Sequence, residues 1–531
     1  MRMATYAPRP AWALRARAVS RAPVAVPLGL GALLAVSILL HTRQLDVGFW
    51  IDEGLSVGIA DRPLADIPGV LRQDGSPPLY YMLLNLWMAL AGRTEESVHG
   101  LSVLFSVLCV PVAFWAGWTL FGRPTAWAAA LLVAVNPFIT KYAQEGRMYA
   151  LVILLGLVST TFWLQAFTTD APDGGAVRRV PAVGFAVAFA AMLYTHNWSL
   201  FFGAATGVAW LLLVGLAKGE ERRRLVRTGL LAYGIVVLLY APWVPTTLYQ
   251  AAHTGAPWSR APSLAALAAV PAGILGATAE VAVLLAAGTG LAALLGRRQA
   301  GRLTAQGRAV LALLILALLT IVLAWLASQL SPAWANRYLS VGVAPFVLLA
   351  AAGFAAAGRL GLIGLLLVAI LWTVDAAPEE KSNVRTVART IAPSLRPGDV
   401  VVATQPEQVS VLDYYLPGGL RYATLTGPVP DVGVTDWRDG VERLRATSPA
   451  RDLQPVLDAI PSGGRLALVV PAIASIERWS APWNALVRER SEAWLRHLSN
   501  DPRFALIAMV PDTPLPSSTP NPLRARIYLK R

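Results

Sequence analysis

Two adjacent carboxylates, Asp52 and Glu53, stand beside a tryptophan in FWIDEGLSVG, just past the first long apolar run of the chain. A carboxylate at a membrane edge can serve as a general base. Arginines there can grip a phosphate through paired, charge-assisted hydrogen bonds. Arg147 in QEGRMY and Arg337 in NRY each lie at the end of an apolar segment. Asp74, Glu145, Tyr149, Tyr338 and His196 in YTHNW complete a polar and aromatic set near such ends. Ionisable groups in these places are costly unless hydrated or paired. A base, a phosphate clamp and a lipid groove together suit group transfer from a polyprenyl-phosphate carrier. The base would take the proton of an acceptor hydroxyl, and the arginines would stabilise the departing phosphate.

Taken singly, each residue has an ordinary reading. Asp52 and Glu53 read as solvated loop acids. Glu145 and Arg147 read as an ion pair across a turn. Arg147 and Arg337 read as snorkelling anchors, His196 as a satisfied interfacial residue, and the aromatics as a membrane belt. Convergence on one membrane boundary is what favours the chemical reading.

The elements that must position these groups are membrane spans. Of the 531 residues, 56% are hydrophobic and only 14% charged, against about 25% charged in soluble domains. A polytopic α-helical membrane protein is expected. Candidate spans are 23–41, 101–121, 124–140, 148–167, 180–194, 200–216, 230–244, 280–295, 310–330, 338–358 and 360–375, about eleven. Segments 78–92 and 263–279 are apolar but short, and counting either as a span flips everything after it. The basic stretches 1–22, 178–179, 218–227 and 297–308 fall on one side only if neither segment spans. The N-terminus is then cytoplasmic. Residues 43–100 form a large outer loop with eight acids and four arginines. The active site lies at the extracytoplasmic face of the cell membrane.

The net charge of +14 reads as a topology signal, and no basic stripe with interleaved aromatics points to nucleic acid. The single cysteine, Cys109, excludes an intrachain disulfide and a Cys-cluster zinc site. The domains divide at 1–377, the membrane unit, and 378–531, an extracytoplasmic α/β domain. In the latter, GDVVVATQPEQVSVLDYYL reads strand–turn–helix, RLALVVP and FALIAMVP read as short buried strands, and RWSAPWNALVRERSEAWLRHL reads as an amphipathic helix. PDTPLPSSTPNP is a Pro-rich loop.

The ordered set DE (Asp52, Glu53), DGSPPLYY (Asp74–Tyr81), YAQEGRMYAL (Tyr142–Leu151), YTHNW and NRY resembles the GT-C-fold glycosyltransferases. It is closest to the protein O-mannosyltransferase and aminoarabinose-transferase-like group, glycosyltransferase family 39, over roughly residues 23–345. That resemblance implies a polyprenyl-phosphate sugar donor, inverting transfer and an envelope acceptor, whether glycan, lipid or protein. It implies Asp52 as the catalytic base and Glu53 as shaping the site or helping a metal. Arg147 and Arg337 would contact the donor phosphate, and Glu145 and Tyr149 would orient the sugar or Arg147. Members of the group often carry His or Lys directly before the Pro-Pro, where this chain has Ser76. A divalent cation, Mg or Mn, bridging Asp52, Glu53 or Asp74 to the phosphate would replace that missing charge.

Two readings from other classes compete. A lipid-linked sugar transporter or flippase would show inverted repeats and ionisable residues at the bilayer midplane, and the sequence shows neither. A non-catalytic envelope scaffold would use the α/β domain to hold a partner.

Overall fold

The computed structural model describes the chain except residues 1–10, 171–175, 278, 300, 375–379, 474–478 and 512–520, with the backbone alone for 11–24, 282 and 374. The start of the basic N-terminal stretch, the expected 377/378 boundary and most of the Pro-rich loop lie outside the described residues.

Six helices are long and apolar enough to cross a membrane: Glu95–Leu120, Tyr149–Phe167, Ser199–Leu216, Gly219–His253, Ala305–Leu330 and Asn336–Ala356. A seventh span is made if Arg123–Val135 and Pro137–Ala143 count as one. Other apolar helices, such as Ala25–His41, Arg179–Leu193, Val283–Gly296 and Gly358–Thr373, run 10–17 residues. On length and composition the structure therefore gives six or seven spans among the described residues, against the eleven expected. The protein is a multi-pass membrane protein.

Asn336–Ala356 is the central helix, with 83% of its apolar window buried, whereas Gly219–His253 is peripheral at 33%. Glycine lets a neighbour reach the centre. A Cβ at Gly290 would overlap the Gly353 carbonyl, so Glu280–Gly296 and Ser340–Ala356 pack backbone to backbone, as small residues allow in membranes.

Three segments depart from regular spans, each for a readable reason. The expected span 124–140 is bent by 50° at Asn136. Pro137 has no N–H to give the preceding turn, and Asn136 is extended there, its Oδ1 capping Ile139 N at 3.0 Å. Its Nδ2 donates to Ile274 O at 3.0 Å. Segment 263–279 forms Leu264–Ala268 and Val270–Leu275, of five and six residues. Segment 78–92 forms the 13-residue helix Leu79–Ala91. At about 1.5 Å per residue, none of the single helices in the last two segments reaches across a hydrocarbon core of roughly 30 Å.

The C-terminal part is a six-stranded mixed sheet, ordered Gly427–Pro428, Arg421–Thr424, Val400–Ala403, Arg465–Pro471, Leu523–Lys530, Phe504–Val510. Its middle pairs, Arg421–Thr424 with Val400–Ala403 and Val400–Ala403 with Arg465–Pro471, are parallel. Side chains alternate along each strand, which gives the sheet two apolar faces. Val400, Val402 and Leu468 pack with Trp483, Val487 and Trp494 of the helix Pro482–Ser499. Val401, Ala403 and Ala467 join the core that runs on into the bundle. FALIAMVP is not buried as expected. It forms the sheet's edge, where Leu506, Ile507 and Met509 are exposed, because it has a neighbour on one side only and a bulge between Leu506 and Ala508. The strand Leu523–Lys530 was hidden in the sequence by its arginines.

Candidate active site

The site is built around the first turn of the helix Ile51–Ala60. The chain enters it extended at Trp50, and Glu53 reaches back to accept from Trp50 N at 3.3 Å. Carboxylates are favoured in this turn by the helix dipole. Successive helix residues point about 100° apart, so Asp52 and Glu53 face different surroundings.

Glu53 turns inward and is fully buried. Its Oε1 accepts from Lys381 Nζ at 2.5 Å, Gly146 N at 2.8 Å and pairs with His99 Nε2 at 2.8 Å. His99 Nδ1 lies 2.7 Å from Leu45 O, and Lys381 Nζ also donates to Gln144 O at 2.7 Å. Burial would raise the Glu53 pKa, but the adjacent Lys381 and His99 outweigh it and hold the carboxyl below its ordinary range. Glu53 therefore shapes the site from beneath. Oε1 carries three contacts and Oε2 only the one from Trp50 N, and the Lys381 ammonium on Oε1 opposes a second cation here.

Asp52 remains half-open, 3.4 Å from Arg337 Nη2. Arg337 sits among aromatic faces, its guanidinium carbon 5.5 Å from the Trp50 ring, 4.9 Å from Trp258 and 5.4 Å from Tyr338. Arg147 approaches from the other side. Its Nη1 donates to Asp52 O at 3.2 Å, Ser56 Oγ at 3.0 Å and Tyr81 Oη at 3.1 Å.

The turn carrying Glu145 and Arg147 is fixed locally. Ser102 Oγ donates to Glu145 O at 2.6 Å, and a Cβ on Gly146 would press on Val98. Glu145 is buried, and Oε1 finds no hydrogen-bond partner. Burial is the main cause that raises its pKa; Lys381 opposes this and Glu53 adds to it. Asp74 ends the helix Ile67–Asp74 and is buried; burial raises its pKa, with Ser76 and Arg147 pulling the other way.

Tyr149, His196 and Tyr338 form an aromatic wall, with ring centroids 4.8 Å apart for His196–Tyr338, 6.0 Å for Tyr149–His196 and 6.4 Å for Tyr149–Tyr338. His196 Nδ1 accepts from Trp198 N at 3.1 Å. Burial, helped by Arg147 and Arg337, lowers its pKa to about 3, so the ring is neutral near pH 7. Besides Glu145 Oε1, the buried Gln144 Oε1, Tyr149 Oη, Arg147 Nε and Arg337 Nε lack partners among the described residues. Such atoms are costly unless a ligand or water meets them.

All nine expected site residues thus belong to one neighbourhood, with Glu53 fully buried and Asp52 partly exposed. His99, Lys381, Trp258 and Ser56 escaped the sequence reading. Lys381 meets Glu53 across 328 positions, and nothing local announces that. The expected metal set does not fit: the Lys381 ammonium already lies against Glu53, and no group of three or more His, Cys, Asp or Glu among the described residues could hold an ion.

No family model matches the chain, and no curated protein matches it in sequence. Solved structures do match. ArnT from Cupriavidus metallidurans in the apo state superposes with a TM-score of 0.60 at 15% identity, over 96% of this chain and 98% of that one. The same protein bound to undecaprenyl phosphate gives 0.60 at 13%, over 95% and 97%. The apo oligosaccharyltransferase of Archaeoglobus fulgidus gives 0.51 at 11%, over 87% and 72%. The chain has the fold of the GT-C glycosyltransferases.

Proposed function

We propose that the protein is an inverting membrane glycosyltransferase that moves a sugar from a polyprenyl-phosphate donor to a hydroxyl of an envelope acceptor. One observation carries this reading: the partly exposed carboxylate of Asp52 meets Arg337 while Arg147 holds the backbone carbonyl of the same residue, and buried polar atoms around them lack partners. The ArnT structure with undecaprenyl phosphate supports the choice of donor, since it shares the fold across nearly the whole chain.

Asp52 takes the proton from the acceptor hydroxyl as its oxygen attacks the anomeric carbon. The bond from that carbon to the phosphate oxygen breaks on the opposite face, so configuration inverts. Arg337 and Arg147 receive the charge that gathers on the leaving polyprenyl phosphate. Without donor, Arg337 is engaged by Asp52. An incoming phosphate competes for that guanidinium and frees Asp52 to act as the base. Glu145, Gln144 and Tyr149 offer their unpartnered atoms to sugar hydroxyls, while neutral His196 and Tyr338 wall the ring. Asp74 holds the Arg147 side of the cavity. No step passes through Mg or Mn, because Asp52, Glu53 and Asp74 do not gather into a ligand set and Lys381 already neutralises Glu53.

The site and the sheet domain lie on the extracytoplasmic side in this reading, where the basic stretches of the sequence place them. The test is transfer of labelled sugar from a polyprenyl-phosphate donor by the purified protein, lost in Asp52→Asn. An Asn variant that turns over normally would reject the assigned base.

A further inference from the structure

A cavity of about 540 Å³ is lined by the sheet domain and, from the loop that carries Asp52 and Asp74, by Gln73. It opens where the turns leave the carboxyl ends of the parallel strands Val400–Ala403 and Arg421–Thr424. Crevices at that end of parallel strands are where open α/β sheets commonly bind ligands.

The segment 429–438 forms much of its wall and is fastened to both helices of the site. Asp431 pairs with Arg62 at 3.0 Å, just past the end of Ile51–Ala60. Gly433 lies so close to Gly58 that a Cβ on either would overlap the other. At the opposite end, Trp437 N donates to Gln73 O at 2.9 Å and Arg438 Nη2 to Gln73 Oε1 at 3.3 Å. Gln73 lines the cavity and directly precedes Asp74. A ligand held here therefore touches the loop that supplies both acids.

The lining chemistry narrows the ligand. Arg438, Arg443 and Arg451 face Asp431, Asp436 and Asp452, so the charges balance. Arg438 and Arg443 hold Asp436 at 2.8 and 3.1 Å, and Arg451 holds Asp452 at 3.0 Å. Each of these arginines is engaged by a carboxylate, Arg438 and Arg443 sharing Asp436, so none stands free to grip a phosphate with its whole fork. They do present fixed donors and acceptors side by side, next to the hydroxyls of Thr424 and Thr426, 2.9 Å apart. A neutral, polyhydroxylated chain matches this lining. An extended peptide matches it poorly, because the sheet edge here is the two-residue strand Gly427–Pro428, and proline offers no N–H to a paired strand.

We propose that this cavity binds a neutral glycan as the acceptor, the acceptor role resting on the transferase reading above. The test uses full-length protein in lipid nanodiscs and short linear oligosaccharides of mannose or arabinose as probes, read by titration and saturation-transfer NMR. The contrasting probes are oligogalacturonate, a Ser/Thr-rich peptide and inorganic phosphate. Thr426 is exposed, so Thr426→Trp obstructs the cavity with little strain on the core. It should weaken neutral-glycan binding about tenfold or more. The unfolding midpoint reports whether the variant is folded. If Thr426→Trp does not fold, Arg451→Gln with Asp452→Asn replaces it, removing one donor–acceptor pair without changing net charge. No binding of any neutral probe, binding indifferent to the folded variants, or preference for the acidic probe, the peptide or phosphate would overturn the proposal. Asp52→Asn separates the two readings, since it should lose transfer and retain glycan binding. A wild-type protein that binds glycan in this cavity and transfers nothing would sink the transferase reading and leave the binding site standing.

Discussion

Asp52 and Glu53 are neighbours in sequence and opposites in surroundings. Asp52 keeps part of its surface open and meets one guanidinium at 3.4 Å. Glu53 is fully enclosed and meets an ammonium, an imidazole and an amide, all within 2.8 Å. The comparison separates two uses of a carboxylate. One is loosely held, so that an incoming group can displace its partner. The other is over-determined, so that the first turn of the helix cannot rotate and carry Asp52 away. Lys381 makes this second role a link between the helix Ile51–Ala60 and the C-terminal sheet. Two residues on, Asn383 bonds the strand Leu523–Lys530 through Leu523 in both directions, at 3.0 and 2.8 Å.

The largest expected effect would break the Asp52 half of that comparison. Asp52→Asn should lower turnover by about 10²–10⁴-fold, the range for a general base, with the unfolding midpoint unchanged. The measurement is initial rate with labelled donor. Glu53→Gln should show the reverse emphasis. Lys381→Met strands a buried anion, and breaking one side of such a pair costs about 3–5 kcal/mol. Chemical unfolding in detergent should show that loss, and the double variant Glu53→Gln/Lys381→Met should recover part of it. Equal unfolding curves for wild type and Lys381→Met would remove the link.

The Glu53 pair should also carry an acid signature. Its folded pKa lies below the ordinary value, so the unfolded state binds the proton first as pH falls. The stabilisation is present above the ordinary carboxylate range and disappears as pH drops through the depressed folded value. Unfolding midpoints against pH should show this slope in the wild type and not in Glu53→Gln.

A smaller effect should follow Arg337→Lys. Charge is kept and the planar fork is lost, so the KM for donor should rise about tenfold, at the scale of one charge-assisted hydrogen bond. The smallest effect should come from His196→Gln. His196 is neutral because burial lowers its pKa to about 3, so no limb of the pH–rate profile near neutrality should move. Exhaustive chelation should likewise leave the rate unchanged, since Lys381 already neutralises Glu53 and the expected acids do not gather into a ligand set among the described residues.

Much of this was legible in the chain. Long apolar runs required a membrane bundle because buried backbone in lipid must close its own hydrogen bonds. The acids and arginines at their ends marked one boundary as the place for chemistry. The strands Val400–Ala403 and Arg465–Pro471 announced themselves as continuous β-branched or aliphatic runs. Other features left weaker traces. The break at Asn136–Pro137 was visible as an Asn-Pro step inside an apolar run, yet the expected span ran through it. Phe504–Val510 looked interior because apolar composition does not say whether a strand has one neighbour or two.

What the sequence determined by itself is the kind of environment each side chain must occupy, since hydropathy and charge fix the cost of moving a residue between lipid, protein and water. Only the tertiary structure decided which of two adjacent acids stays partly exposed and which is buried. That choice depends on a turn of about 100° per residue and on partners, His99 and Lys381, that lie 46 and 328 positions away. Packing brings such partners together, and no local spacing encodes them.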